Sequence, residues 1–222
     1  RVHMPPRART KSRCGMRDGK IAHCHGDQKV NVLARNNVRV TGKGERAIVF
    51  AHGFGCDQNM WRLVAPAFER DFRTVMFDHV GAGGSDLSAY SAAKYSSLSG
   101  YATDLVEIMR ALRMAGAVFV GHSVSAMIGV LASLEDSTLF DTLILVGPSP
   151  RYIDNDEYVG GFTASQIDEL LAFLDDNYMG WSAAMAPTIM GNPQRPELGV
   201  ELTNSFCRTD PEIAKAFARV TF

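Results

Sequence analysis

The 222-residue sequence lacks any apolar run that approaches the ~20 residues of a membrane span, and its first residues contain no hydrophobic signal segment. A membrane protein and an exported one are therefore both disfavoured, and a cytoplasmic location is expected. Paired cysteine spacing is also missing. Cys14, Cys24, Cys56 and Cys207 suggest reduced thiols rather than a disulfide framework, and no metal site or cofactor is indicated. Net charge is only −1, so the chain as a whole carries no excess of the kind that drives nucleic-acid binding.

The charge is nevertheless unevenly placed. Residues 1–29 hold eight basic and two acidic side chains, with Pro5, Pro6 and Gly15 and little apolar periodicity, which reads as a disordered basic leader. A nucleic-acid arm, a transit peptide and a metal cluster at His23-Cys24-His25 are weaker readings of the same stretch. Because the chain starts with Arg1 rather than methionine, the leader is read as vector, processed or over-extended sequence. Over the full sequence, 46% hydrophobic and 21% charged residues describe a globular chain long enough to bury a sizeable core.

The most informative stretch is Phe119 to Val130. A β-branched and aromatic run, Ala117 to Val120, enters Gly121-His122-Ser123-Val124-Ser125 and continues as an apolar segment to about Leu134. Strand, sharp turn and helix in that order would strain the central serine and expose its hydroxyl at the carboxyl edge of a sheet, opposite a helix N-terminus. The spacing follows G-x-S-x-G, except that Ser125 stands where the last glycine is usual. Ser123 is therefore the candidate nucleophile.

Upstream, Val30 to Val40 alternates loosely and is expected to be an edge strand closed by the turn Thr41-Gly42-Lys43-Gly44. Ala47 to Ala51 is continuously apolar, as in a strand covered on both faces, and leads into His52-Gly53-Phe54-Gly55. Glycines on either side of Phe54 let a backbone N–H turn outward. Alone that is a plain strand-to-helix turn; paired with the elbow, the N–H groups of Phe54 and Val124 become candidate oxyanion donors. A helix capped by Asp57 is expected over Met60 to Phe68, then a strand over Arg73 to Phe77. The glycine-rich Asp78 to Asp86 reads as a structural turn, not a dinucleotide loop, since the glycine spacing is wrong and no helix follows. Apolar residues from Leu98 to Leu112 recur with helical period, and Thr142 to Val146 reads as another buried strand.

Strands alternating with helices imply a mostly parallel sheet with helices on both faces, spanning residues 30–154. From Tyr158 the texture becomes helical: Ile167 to Tyr178, Trp181 to Ile189, Glu197 to Phe206, and a fourth helix starting at Asp210-Pro211. Residues 155–222 are thus expected to form a four-helix cap over the serine, with Trp181 and Met185 either packing or facing a ligand cavity.

The motifs from Asn37 to Phe222 resemble the α/β-hydrolase subfamily that contains the bacterial stress-response regulator RsbQ and the plant strigolactone and karrikin receptors. The resemblance rests on His52 to Gln58, Gly121 to Gly129, Gly147-Pro148-Ser149-Pro150-Arg151-Tyr152 and Gly160-Gly161-Phe162; Gly147 to Pro150 and Phe206 to Pro211 look more like the bacterial branch. It implies a Ser123 nucleophile, an oxyanion hole at Phe54 and Val124, and an apolar pocket lined by Phe54, Trp181 and Met185. It also implies a small hydrophobic ester- or lactone-like ligand and a signalling partner such as a phosphatase in a stress response. The triad acid and histidine that the resemblance implies after two further strands are missing: none of the six histidines, His3, His23, His25, His52, His79 and His122, follows Ser123. The chain is therefore expected to be C-terminally truncated, to expose Thr142 to Val146 as an uncovered edge, and to hydrolyse esters negligibly. A non-catalytic ligand-binding signalling protein and an inactive gene fragment are the alternatives.

Overall fold

A computed structural model describes residues 31–222 of the chain. The leader, with Cys14, Cys24 and His23-Cys24-His25, lies outside the described residues. The core is a sheet of five strands in the order β1 (Arg39–Thr41), β3 (Phe72–Phe77), β2 (Arg46–Ala51), β4 (Ala117–His122), β5 (Phe140–Val146). Only β1 runs antiparallel, against β3; the other pairings are parallel.

Register brings the strand ends level. Ala51 pairs with Phe77 on one side and Gly121 on the other, so His52, Asp78, His79 and Ser123 gather at one edge of the sheet. The side-chain alternation of β2 divides the core. Ala47, Val49 and Ala51 face α2 (Leu98–Ala111) and α3 (Val124–Glu135) in the larger apolar cluster, whereas Ile48 and Phe50 face Trp61 and Ala65 in a smaller one. Both faces of β2 are covered, which is why the strand reads as an unbroken apolar run.

Three local expectations change. Among the described residues of the Val30 to Val40 stretch, only Arg39 and Val40 are strand, the start of β1; the side chain of Asn31 caps a short helix, α1 (Val32–Arg35), and Asn37 then turns the chain at a φ of 46°. Met60 to Phe68 is not one helix but two 3₁₀ turns, Gln58–Trp61 and Ala65–Phe68, because Pro66 has no N–H to continue a helical ladder. Asp57 does cap the first of them, accepting from the Asn59 N–H at 2.9 Å. Finally, β5, read above as a buried strand by its composition and as an uncovered edge by the missing strands, is the edge: it is last in the order, with Ile144, Leu145 and Val146 45%, 37% and 41% exposed.

Four helices follow β5: α4 (Ala164–Asp176), α5 (Tyr178–Met190), α6 (Pro196–Phe206) and α7 (Pro211–Thr221). Tyr178 opens α5 rather than ending α4, since the Asn177 side chain caps the new helix through the Gly180 N–H at 2.8 Å. Leu174, Tyr178, Trp181, Phe206, Ala214 and Ala218 form the apolar centre of this layer. Helix α7 also sends Phe217 into the sheet's own core, so it fastens the helical layer to the strands.

Candidate functional site

Between β4 and α3 the backbone makes the turn that the glycine-serine spacing predicts. Ser123 has φ 54° and ψ −123°, a conformation that costs a non-glycine residue of order 1–3 kcal/mol. Two features hold it there: its N–H donates to the Val146 carbonyl at 2.8 Å, and its own carbonyl accepts from the Ala126 N–H at 2.9 Å. The next residue, Val124, is buried as the first residue of α3, where a helical N–H has no acceptor within its own helix.

Beside the serine, Gly53 to Cys56 forms a tight turn closed by the Cys56 N–H on the Gly53 carbonyl at 3.2 Å. Gly55 takes φ +70°, the left-handed value such a turn needs at its third residue. The approach is close, since a Cβ on Gly53 would lie 3.2 Å from the Ser123 Cβ. Among the described residues the Phe54 N–H has no acceptor.

Both turns open into a cavity of 640 Å³ whose wall includes Phe54, Ser123, Trp181, Met185, Phe206 and Phe222. Trp181 and Met185 reach it together because they are four residues apart on α5 and share a face. Phe54 sits amid aromatic rings, with centroids 6.1 Å from Trp181, 6.0 Å from Phe206 and 5.7 Å from Phe222. Phe206 and Phe222 are wall residues that sequence periodicity did not separate from ordinary packing; the glycine at position 55, facing the Phe206 ring, was the one local sign of a close neighbour.

At the margin of this apolar space two ion pairs join core to cap. Arg208 reaches the buried carboxylate of Asp57 at 2.7 Å, and Arg62 reaches Glu201 of α6 at the same distance. The Cys56 thiol, also in the wall, is pushed up to about 11 by burial and stays protonated near neutral pH.

The histidines at this edge do not serve Ser123. His79 lies 2.7 Å from the hydroxyl of Ser125, not from that of Ser123. His122 is half-buried in the cavity wall, burial lowers its basicity, and its Nδ1 has no hydrogen-bond partner. Neither Asp154 nor Asp156 backs a histidine: Asp154 accepts from the N–H groups of Gly160 and Gly161, at 2.8 Å each, and Asp156 is exposed. Among the described residues no group of three or more His, Cys, Asp or Glu is placed to hold a metal ion. Nor is any described helix long and apolar enough to cross a membrane.

Comparison with known proteins agrees with this geometry. Residues 46–186 match the alpha/beta hydrolase fold family. Karrikin insensitive 2 receptor B of Petunia hybrida is 39% identical over 191 residues, 86% of this chain and 70% of that protein. Strigolactone esterase D14 of Arabidopsis thaliana is 37% identical over 192 residues, 86% of this chain and 72% of that one. Among solved structures, a hydrolase from Oleispira antarctica superposes with a TM-score of 0.84 at 45% identity, covering 86% of this chain and 71% of its own. With a matching family model over most of the folded part and relatives of this similarity, the chain belongs to the alpha/beta hydrolase fold family.

Proposed function

We propose that this chain is an RsbQ-like serine α/β-hydrolase whose cavity beneath α4 to α7 takes a small hydrophobic ester or lactone. Ser123 is the nucleophile in this reading. Its Oγ adds to the ligand's carbonyl carbon as the hydroxyl proton passes to solvent water, the carbonyl π bond opens to an oxyanion between the Phe54 and Val124 N–H groups, and Trp181 and Met185 hold the apolar part. The carrying observation is Ser123 at φ 54° in the wall of the 640 Å³ apolar cavity, against the Phe54 turn. The likeness to a strigolactone esterase and to a karrikin insensitive 2 receptor supports the same reading.

A serine hydroxyl must lose its proton to react, and none of the described histidines hydrogen-bonds to Ser123. This 222-residue chain therefore turns over esters negligibly, and the same observation favours a second reading, ligand binding without turnover; a cytoplasmic place in stress signalling and a protein partner such as a phosphatase rest on the RsbQ-like resemblance alone. Two measurements test the proposal. p-Nitrophenyl acetate hydrolysis is expected at the buffer rate; rapid turnover lost in Ser123→Ala would refute the inactivity. A γ-lactone with a short alkyl tail is expected to raise the melting temperature of the chain but not of Met185→Trp, which fills the cavity; equal shifts in both would remove the pocket.

A further inference from the structure

Ser125 stands where glycine is usual, and its hydroxyl is fully buried among groups that come from three strand ends. Its Oγ lies 2.5 Å from the His52 carbonyl after β2 and 2.7 Å from Nε2 of His79 after β3. A carbonyl can only accept, so Ser125 spends its one proton on His52 and must accept from His79, which places a proton on His79 Nε2. His52 is fixed with the same logic from two directions. The His79 backbone N–H donates to His52 Nε2 at 3.0 Å, which leaves that nitrogen bare, and His52 Nδ1 lies 2.9 Å from the Gly53 carbonyl, which requires a proton there.

The last contact bears on the proposed oxyanion hole. The Gly53 carbonyl and the Phe54 N–H belong to one planar trans peptide and point in opposite directions. Holding the carbonyl between His52 Nδ1–H and the Cys56 N–H therefore aims the Phe54 N–H the other way, and a hydrogen bond to an amide oxygen strengthens that amide's N–H as a donor. We infer that His52 is a positioning residue that orients and polarises the Phe54 oxyanion donor, held in the Nδ1–H tautomer by His79 and anchored through its own carbonyl by Ser125. The inference rests on the reading of Ser123 and Phe54 proposed above and extends it to three buried residues that touch no ligand.

The experiment needs no turnover. In ¹⁵N-labelled protein, long-range ¹H–¹⁵N spectra of the free chain are expected to show His52 protonated at Nδ1 and His79 at Nε2. His52 carrying its proton on Nε2 would overturn the inference without touching the site. Phenylboronic acid then probes the hole, because the Ser123 Oγ adds to boron as its proton passes to the buffer and the adduct is a tetrahedral anion, whereas the alkyl γ-lactone binds the same cavity uncharged. His52→Leu is expected to weaken the boronate roughly 10-fold or more and the lactone less than about 2-fold. His52→Asn, which keeps a donor near the Nδ1 place, should recover most of the loss. Equal weakening of both probes, or no recovery in His52→Asn, would overturn the positioning role. Should His52→Leu fail to fold, Ser125→Gly removes the carbonyl anchor and the acceptor of His79 Nε2 while leaving the His52 ring in place, and is expected to show the same split in smaller measure. A wild-type boron spectrum without a Ser123-dependent tetrahedral signal would instead sink the underlying reading of the serine.

Discussion

The two flanks of Ser123 are built differently. Toward β2 and β3, the groups behind the serine are buried and tied: His52, His79 and Ser125 close a ring of hydrogen bonds, and Gly55 packs against the Phe206 ring. Toward β5 the sheet ends, the apolar side chains of Ile144 to Val146 meet solvent, and Gly147 has no atom within 4 Å of where a Cβ would stand. The closed flank carries the groups that would stabilise negative charge. Among the described residues, the open flank carries none placed to remove a proton. Rigidity thus coincides with the half of the chemistry that depends on preorganised dipoles, which gain their value from not having to move.

The largest effect is expected from a pair of glycines that share a left-handed backbone but not their surroundings. At Gly55, φ +70°, a methyl group would lie 1.8 Å from the Phe206 ring, so Gly55→Ala combines backbone strain with overpacking and should cost about 3 kcal/mol. At Gly147, φ +59°, there is strain but no neighbour, and Gly147→Ala should cost about 1 kcal/mol. Urea denaturation of both variants checks this. Equal losses would mean that the closed flank is no tighter than the open one.

Acid should attack the closed flank next. Burial lowers the basicity of His52, and burial together with the neighbouring His52 ring lowers that of His79 further, while Asp78, the Gly53 carbonyl and Asp57 oppose the shift at His52. Both rings are therefore neutral in the folded chain but gain protons in the unfolded one below their ordinary value of 6.5. The unfolded state binds more protons, so stability is present above that pH and falls as pH drops through it. Each ring contributes a slope of up to about 1.4 kcal/mol per pH unit. Stability measured from pH 7 to 5 should fall less steeply in His79→Gln, which lacks one titrating ring but keeps a donor toward Ser125. Parallel curves for the two proteins would show that carboxylates, not the buried histidines, govern the acid limb.

How far the sequence carried these conclusions differs between residues. The elbow was legible because Gly121 to Ser125 sits between a β-branched run and an apolar helix, a local pattern. Trp181 and Met185 were legible as partners through helical spacing, though not as cavity wall rather than packing. The ring around Ser125 was not, because its partners lie 46 and 73 residues away and no periodicity links them. Asn31 and Pro66 did carry local signals, a cap and a missing N–H, but the apolar alternation around them read more strongly. β5 shows a further limit. A continuous apolar run looks the same in the middle of a sheet and at its edge, so Thr142 to Val146 could be recognised as strand while its exposure depended on strand order.

That exposure gives the smallest effect on folding and a sharper one on association. Lysine on an edge strand blocks pairing with another edge while leaving the strand's own ladder to its neighbour intact. Ile144 is 45% exposed, so Ile144→Lys removes little buried surface and should change stability by less than about 1 kcal/mol. Light scattering over a concentration series should nevertheless show less self-association in the variant than in the wild type. The equivalent change at Val49, fully buried on the closed side, should prevent folding instead. If Ile144→Lys proved as damaging as that, β5 would be load-sharing core, and the distinction between a closed and an open flank around Ser123 would fail at the strand on which it chiefly depends.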